Sequence, residues 1–266
     1  MYSFTFHRPE TLRQAVNLLS KNEDAKLLAG GHTLLPTMKL RLANPPQLID
    51  LSRIEGLTGI ELSGRSLTIG AMTRHADVHS SPVVQQAIPV LAKLAGLIGD
   101  PAVRHMGTIG GSIANNDPTA DYPAACLGLG ATIITNKRRI KADDFFTGMF
   151  LTALEPAEII TKVSFPIPKK AAYQKFRNQA SRYALVGVFV GKRGSDIRVT
   201  VTGAGANGVF RVKSFEEALK KRFAAKSLEG MSIPATGMNS DIHASPEYRA
   251  HLVGVLARRA VAKATA

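Results

Sequence analysis

Leu27-Leu28-Ala29-Gly30-Gly31-His32-Thr33-Leu34-Leu35-Pro36 reads as a short strand, a paired-glycine turn and a helix start. Paired glycines permit positive φ and leave backbone N–H groups uncovered, so that several can converge on one anion. The helix start beyond adds its positive dipole end, which favours phosphate. Thr33 can donate a hydroxyl hydrogen bond or cap that helix. Far away in sequence stands a second such stretch, Gly107-Thr108-Ile109-Gly110-Gly111-Ser112-Ile113-Ala114-Asn115-Asn116-Asp117-Pro118. One glycine pair is usually only a tight turn. Two pairs flanked by hydroxyls suit the two sides of a diphosphate, the geometry a dinucleotide needs. The residues by themselves reach an anion site and stop there.

Outward from these turns the chain reads as mixed α+β rather than a regular βαβ alternation. Residues 1–55 give a strand near Tyr2–Phe6, a helix from Glu10 to about Leu19, a strand at Lys26–Ala29, a helix at Leu34–Leu40 and a strand at Gln47–Leu51. Leu12, Ala15, Val16 and Leu19 share one face of the first helix. Residues 56–170 open with a hairpin, Gly59–Leu62 and Ser66–Ile69 about Ser63-Gly64, followed by helices at Arg74–His79 and Val83–Gly96. Strands are expected at Ala131–Thr135 and Glu158–Phe165. Pro166-Ile167-Pro168-Lys169-Lys170 marks a boundary, because prolines disfavour both helix and ladder. Residues 171–266 carry strands near Ala172–Arg177, Ala184–Val190 and Ile197–Thr202, a helix capped by Ser214 with Glu217 in a capping box, and a last helix from Pro246 to about Ala262.

The 266 residues, 45% hydrophobic and 20% charged, suffice for a globular protein of two or three parts. No apolar run reaches the roughly 20 residues that span a bilayer, and Met1–Pro9 lacks a signal-peptide pattern. The lone Cys126 cannot hold an iron–sulfur cluster, reads as a small core residue and points to a cytoplasmic location. A net charge of +14 implies acidic partners. Lys137-Arg138-Arg139, Lys169-Lys170 and Lys220-Lys221-Arg222 are read as solvated surface, since no nucleic-acid motif accompanies them.

Three further patterns are weaker. Gly203-Ala204-Gly205-Ala206-Asn207-Gly208 matches a dinucleotide fingerprint, but strand-like Val209-Phe210-Arg211-Val212 follows where a helix should open, so a loop between strands is favoured. His75 and His79 have metal-ligand spacing but lack the glutamate and a third ligand. Asp143-Asp144 is read as a turn or cap, and Tyr183 as packing with a lesser claim to flank a bound ring.

Taken together, Ala29–Pro36 and Thr108–Ile113 resemble the flavin-binding motif pair of the molybdenum hydroxylase family, of the type found in the medium subunit of bacterial carbon monoxide dehydrogenase and its relatives. The likeness spans nearly the whole chain and takes in Phe4–Ala15, Asn44–Leu51, Asp117–Ala124 and Glu247–Arg259. It implies a two-subdomain FAD-binding domain of the PCMH (vanillyl-alcohol-oxidase-like) type over 1–170, with subdomains 1–55 and 56–170. A carbon monoxide dehydrogenase flavoprotein-like C-terminal domain of antiparallel sheet and helices then covers 171–266. It assigns cofactor contacts to Ala29, Gly30, Gly31, His32, Thr33 and Leu34, and to Thr108, Ile109, Gly110, Gly111 and Ser112, with backbone groups of both turns on the diphosphate. Asp121 and Ile98 match further family contacts, as does one of Ile159 and Ile160. Thr33 and Ser112 replace more usual residues, and Asn178 stands where some relatives place lysine.

The resemblance implies noncovalent FAD and electron transfer. Electrons arrive from [2Fe–2S] clusters of a small partner subunit, a large partner subunit holds the molybdopterin cofactor, and an external acceptor takes them away. The expected assembly is a dimer of heterotrimers, without nucleic acid or a transmembrane segment. A self-sufficient FAD-dependent oxidase and a basic non-catalytic binding module are the competing readings.

Overall fold

A computed structural model describes residues 1–266. The first lobe holds β1 (Thr5–His7), α1 (Leu12–Lys21), β2 (Lys26–Leu28), α2 (Leu34–Lys39) and β3 (Gln47–Asp50). Its three strands are parallel in the order β1-β3-β2, with Phe6 opposite Leu48 and Leu27 opposite Ile49. Thr11 starts α1 through a capping box: its hydroxyl accepts from the Gln14 amide, and the Gln14 side chain accepts from the Thr11 amide. That reciprocal cap moves the helix start from the expected Glu10 to Leu12. Ala15, Ile49 and Leu51 form a small core shared with Ile159 from the next lobe.

The second lobe begins with the hairpin β4 (Ile60–Ser63) and β5 (Ser66–Gly70). Six helices follow: α3 (His75–Ser80), α4 (Pro82–Ala87), α5 (Pro89–Gly96), α6 (Pro101–Met106), α7 (Ile109–Asn115) and α8 (Asp121–Leu129). β6 (Thr132–Thr135), β7 (Arg139–Lys141), the short α9 (Ala142–Phe145), β8 (Phe146–Gly148), β9 (Leu151–Thr152) and β10 (Ile160–Pro166) complete it. The main sheet is antiparallel in the order β4-β5-β10-β6-β7, so the last strand inserts at its centre. Two expectations change here. The single helix expected over Val83–Gly96 is broken at Ile88, because Pro89 lacks an amide proton and instead opens α5. Gly110-Gly111 is not an open turn but the first turn of α7, capped by the Thr108 hydroxyl at 3.2 Å from the Gly111 amide.

The third lobe is an antiparallel sheet of β11 (Lys170–Arg177), β12 (Ala184–Arg193), β13 (Asp196–Thr202) and β14 (Phe210–Arg211), in that order, with α10 (Lys213–Lys221) and α11 (Pro246–Thr265) on one face. Val186, Val188, Val190, Val199 and Val201 pack there against Phe215, Leu252, Val253 and Leu256. The opposite face lies on α8, through Tyr173 and Phe189 in the core of the second lobe. All nine residues of α8 are therefore buried, which explains its lack of a polar face. The capping box expected at Ser214 and Glu217 does not form: the helix opens two residues earlier, with Val212 instead of Ser214 at its cap position. Glu216 turns inward instead and accepts from Arg211 at 2.8 Å and from the Val199 amide at 3.1 Å. Asp143, read as a turn or cap, ties the lobes together by accepting from Arg198 at 2.7 Å and Arg211 at 2.8 Å.

Candidate functional site

Between the lobes lies a cavity of about 640 Å³, within the range of about 300–1,000 Å³ usual for small-molecule sites. The two glycine stretches meet at its edge. A Cβ on Gly30 would lie 2.2 Å from the Met106 carbonyl oxygen and 2.7 Å from the Gly107 Cα. Only glycine lets these backbones touch, so the close approach itself demands the residue. Gly31 follows at φ +72°, the left-handed region that turns the chain from β2 toward α2.

The two stretches differ in what their amides do. Gly30, Gly31, His32, Thr33 and Leu34 all line the cavity, and none of their five amides donates to a group of the protein. Consecutive unpaired N–H groups about a left-handed glycine form a concavity that suits an anion. In the second stretch the amides are spent internally. Ile109 donates to the Thr73 carbonyl, Gly110 to Ala71, Gly111 to the Thr108 hydroxyl and Ser112 to the Thr108 carbonyl. Gly110 is small because a Cβ there would sit 2.7 Å from the Ala71 carbonyl oxygen. The polar side chains this stretch brings to the cavity lining are those of Thr108, Ser112, Asn115 and Asp117.

Of the residues singled out in sequence, Ala29, Gly30, Gly31, His32, Thr33, Leu34, Ile98, Thr108, Gly110, Gly111, Ser112, Asp121, Ile159 and Ile160 all line this one cavity. Ile109 does not. Its side chain is fully buried in the core of the second lobe, because as the first residue of α7 it faces the sheet rather than the cleft. Ile159 and Ile160 line the cavity together, the first packed on the first lobe and the second on the core of the second lobe.

Asp121 opens α8 and is buried. Tyr173 donates its hydroxyl to Asp121 Oδ1, and Lys175 Nζ donates to Oδ2 at 2.8 Å and to the Leu97 carbonyl at 3.2 Å. Burial pushes the Asp121 carboxyl above the usual carboxylate range, against the opposing pull of Lys175 and Tyr173. Burial, then Asp121, keeps Tyr173 a phenol far above its ordinary titration. Lys175 lines the cavity and escaped sequence reading, although its two-residue spacing from Tyr173 puts both on one face of β11.

Tyr183 is half exposed at the cavity rather than packed in the strand it precedes. Asn178 lies outside the cavity lining; its side-chain oxygen accepts from the Ala180 and Ser181 amides and shapes the loop that carries Tyr183. His75 lines the cavity, packs on the Tyr122 ring at 5.4 Å and is held neutral, its pKa lowered to about 4 by burial first and then by His32 and Arg104. His79 bonds the Ala92 carbonyl at 2.9 Å instead. Gly203–Gly208 connects β13 to β14, with no helix at its third glycine.

Glu158, at the cavity wall, was not anticipated as a charged centre. Burial disfavours its charge, yet Arg138 at 3.0 Å, the Glu155 amide at 2.8 Å and the Thr135 hydroxyl at 2.7 Å hold its pKa at about 2. A depressed pKa contributes stability above the ordinary value of 4.5 that is lost as pH falls toward 2. The partly exposed Arg138 screens part of the full effect of about 3 kcal/mol, so Glu158→Gln should cost about 2 kcal/mol at pH 7 and progressively less below pH 4.5. Denaturant titrations across that window check it; a pH-independent difference would contradict the ion-pair account.

A family model described as the FAD binding domain in molybdopterin dehydrogenase matches residues 2–168. The chain is 36% identical to the carbon monoxide dehydrogenase medium chain of Hydrogenophaga pseudoflava, over 97% of this chain and 96% of that one. It is 37% identical to the nicotine 6-hydroxylase medium subunit of Paenarthrobacter nicotinovorans, over 97% and 96%. Among solved structures, carbon monoxide dehydrogenase from Hydrogenophaga pseudoflava, in a form lacking the Mo-pyranopterin moiety, superposes with a TM-score of 0.88 at 36% identity. That match covers 99% of this chain and 98% of the other. Quinoline 2-oxidoreductase from Pseudomonas putida gives 0.84 at 28% identity, covering 99% and 97%.

Proposed function

Because the chain belongs to the family of FAD-binding medium subunits of the molybdenum hydroxylases, we propose that FAD occupies the cavity with its diphosphate on the amides of Gly30–Leu34. The chain is the FAD-carrying electron-transfer subunit of an oxidoreductase. Its molybdenum cofactor and iron–sulfur clusters reside on a large and a small partner subunit. Held on the Gly30–Leu34 amides, FAD would supply the electron transfer between the partner's clusters and an external acceptor. Everything else is the work of this chain's residues. Five unpaired amides in a row are the observation that carries the reading. A dianionic diphosphate gives each of them a charge-assisted partner, the strong class of hydrogen bond.

Thr108 and Ser112 line the same cavity with hydroxyls able to donate to it, so the second glycine stretch acts through side chains and close packing rather than through its amides. Leu27, Leu51, Ile159 and Ile160 give one part of the cavity an apolar wall suited to a flat base. Tyr183 gives another part a half-exposed aromatic face, where a redox ring stays within reach of donor and acceptor. Family membership over nearly the full chain displaces both the self-sufficient oxidase and the basic binding module. No helix is long and apolar enough to cross a membrane. A cytoplasmic home, resting on the single free Cys126, and a dimer of heterotrimers complete the proposal.

The full chain, produced with its partner subunits, is expected to hold one FAD per chain, released on denaturation. The flavin absorbance and the released nucleotide identify it. A complex with all subunits present that carries no flavin and takes up none on addition would overturn the assignment.

A further inference from the structure

We propose that Lys175, held by Asp121 and Tyr173, is the positioning residue that biases the flavin toward its reduced state by supplying a fixed positive charge beside the ring. The inference rests on FAD occupying the cavity. Reduction takes up two electrons, one from each reduced [2Fe–2S] cluster of the partner subunit, and one proton from solvent, and leaves the ring a monoanion. A nearby cation therefore binds the reduced ring better than the oxidised one.

Three features of the structure carry this. First, Lys175 is buried, with its side chain only 4% exposed. Buried ion pairs seldom stabilise a fold better than apolar residues of the same volume, so this one calls for a reason other than stability. Second, an ammonium group has three donors. Two go to Asp121 Oδ2 and the Leu97 carbonyl, which leaves one for the cavity that Lys175 lines. Third, the other buried charges at the cavity are already engaged: Asp121 by Lys175 and Tyr173, and Glu158 by Arg138 and Thr135. Lys175 also shares the cavity lining with the loop bearing half-exposed Tyr183, six residues beyond the Arg177 end of β11. A ring that exchanges electrons with outside partners belongs at that open part, and the adenine at the apolar wall.

Asp121 and Tyr173 set how far this goes. Asp121 fixes the ammonium and offsets part of its charge, and Tyr173 occupies the other carboxylate oxygen so that Asp121 stays turned to Lys175. Both are buried with Lys175, so the arrangement is in place before the ring is reduced.

Dye-equilibrium redox titration of the flavin in the full complex tests the proposal in wild type, Lys175→Met and Lys175→Arg. Lys175→Met should lose at least about tenfold in preference for reduced over oxidised flavin, a drop of about 30 mV for a two-electron couple. Its reduced ring should also hold a second proton near neutral pH, so that the midpoint falls about 59 mV per pH unit instead of about 30. Lys175→Arg, which keeps the charge, should restore both values toward wild type. If Lys175→Met fails to retain flavin, the ratio of dissociation constants for added oxidised and reduced FAD reads the same preference in Lys175→Met and Lys175→Arg. An unchanged midpoint and pH slope in Lys175→Met, or an unchanged ratio, overturns the inference while leaving FAD binding intact. Absence of FAD from wild type would instead defeat the reading beneath it.

Discussion

Gly30→Ala should strip the chain of its flavin while leaving most of the fold in place. The added methyl would lie 2.2 Å from the Met106 carbonyl oxygen, a backbone atom that cannot swing aside as a side chain would. Something must shift, and the overpacking costs about 1–3 kcal/mol of stability. The shift falls on the amides that follow. Losing two charge-assisted hydrogen bonds to the diphosphate costs about 3 kcal/mol or more, which is a weakening of at least about 100-fold in FAD affinity. Gly31→Ala should do less, because its methyl meets the flexible end of Leu35 at 2.8 Å and the main cost is the φ of +72°. Titrating added FAD into both variants, with thermal melts alongside, checks the order. Equal flavin affinity in Gly30→Ala and wild type would remove the glycine contact from the account.

The second large effect lies at a distance from the cavity. Gly191 on β12 faces Gly128 on α8, and a Cβ at 191 would sit 2.3 Å from the Gly128 carbonyl oxygen. Gly191→Ala must therefore lift the third lobe from α8, again for about 1–3 kcal/mol. That lobe supplies Lys175, Ser181, Arg182 and Tyr183 to the cavity wall. FAD affinity should fall roughly tenfold although no flavin contact is altered, since the wall moves with its sheet. Gly194→Ala is the control: its φ of +62° is strained, but nothing lies within 4 Å, so stability should drop without a change in affinity. If Gly191→Ala melts earlier yet binds FAD as tightly as wild type, the third lobe does not shape the site.

How much of this was legible in the chain differs from one residue to the next. Gly30-Gly31 was, because a strand run halted by two glycines before a helix start has few other solutions. Gly110-Gly111 looked alike in sequence but works differently. Thr108 caps a helix there, and the small residue at 110 serves packing on Ala71 rather than open amides. Ile109 was drawn into the site by its neighbours, although one position in a helix turns a side chain by about 100° and carries it into the core. The break at Pro89 was written in the sequence and overridden by an apolar run continuing on both sides. Ser214 and Glu217 had the right spacing for a cap, yet Glu216, one position earlier, meets Arg211 across the turn. Lys175 and Asp121 stand 54 positions apart on different lobes. Nothing local joins them, and only the packing of the third sheet on α8 brings the ammonium to the carboxylate.

On the function proposed here, the consecutive amides of Gly30–Leu34 clasp the FAD diphosphate. Amide hydrogen exchange of the complex with and without FAD reads those groups one by one. Exchange at residues 30–34 is expected to slow strongly when FAD is present, with little change at 109–112, whose amides already have partners within the protein. Protection confined to 109–112, with residues 30–34 exchanging freely in a flavin-loaded complex, would contradict it.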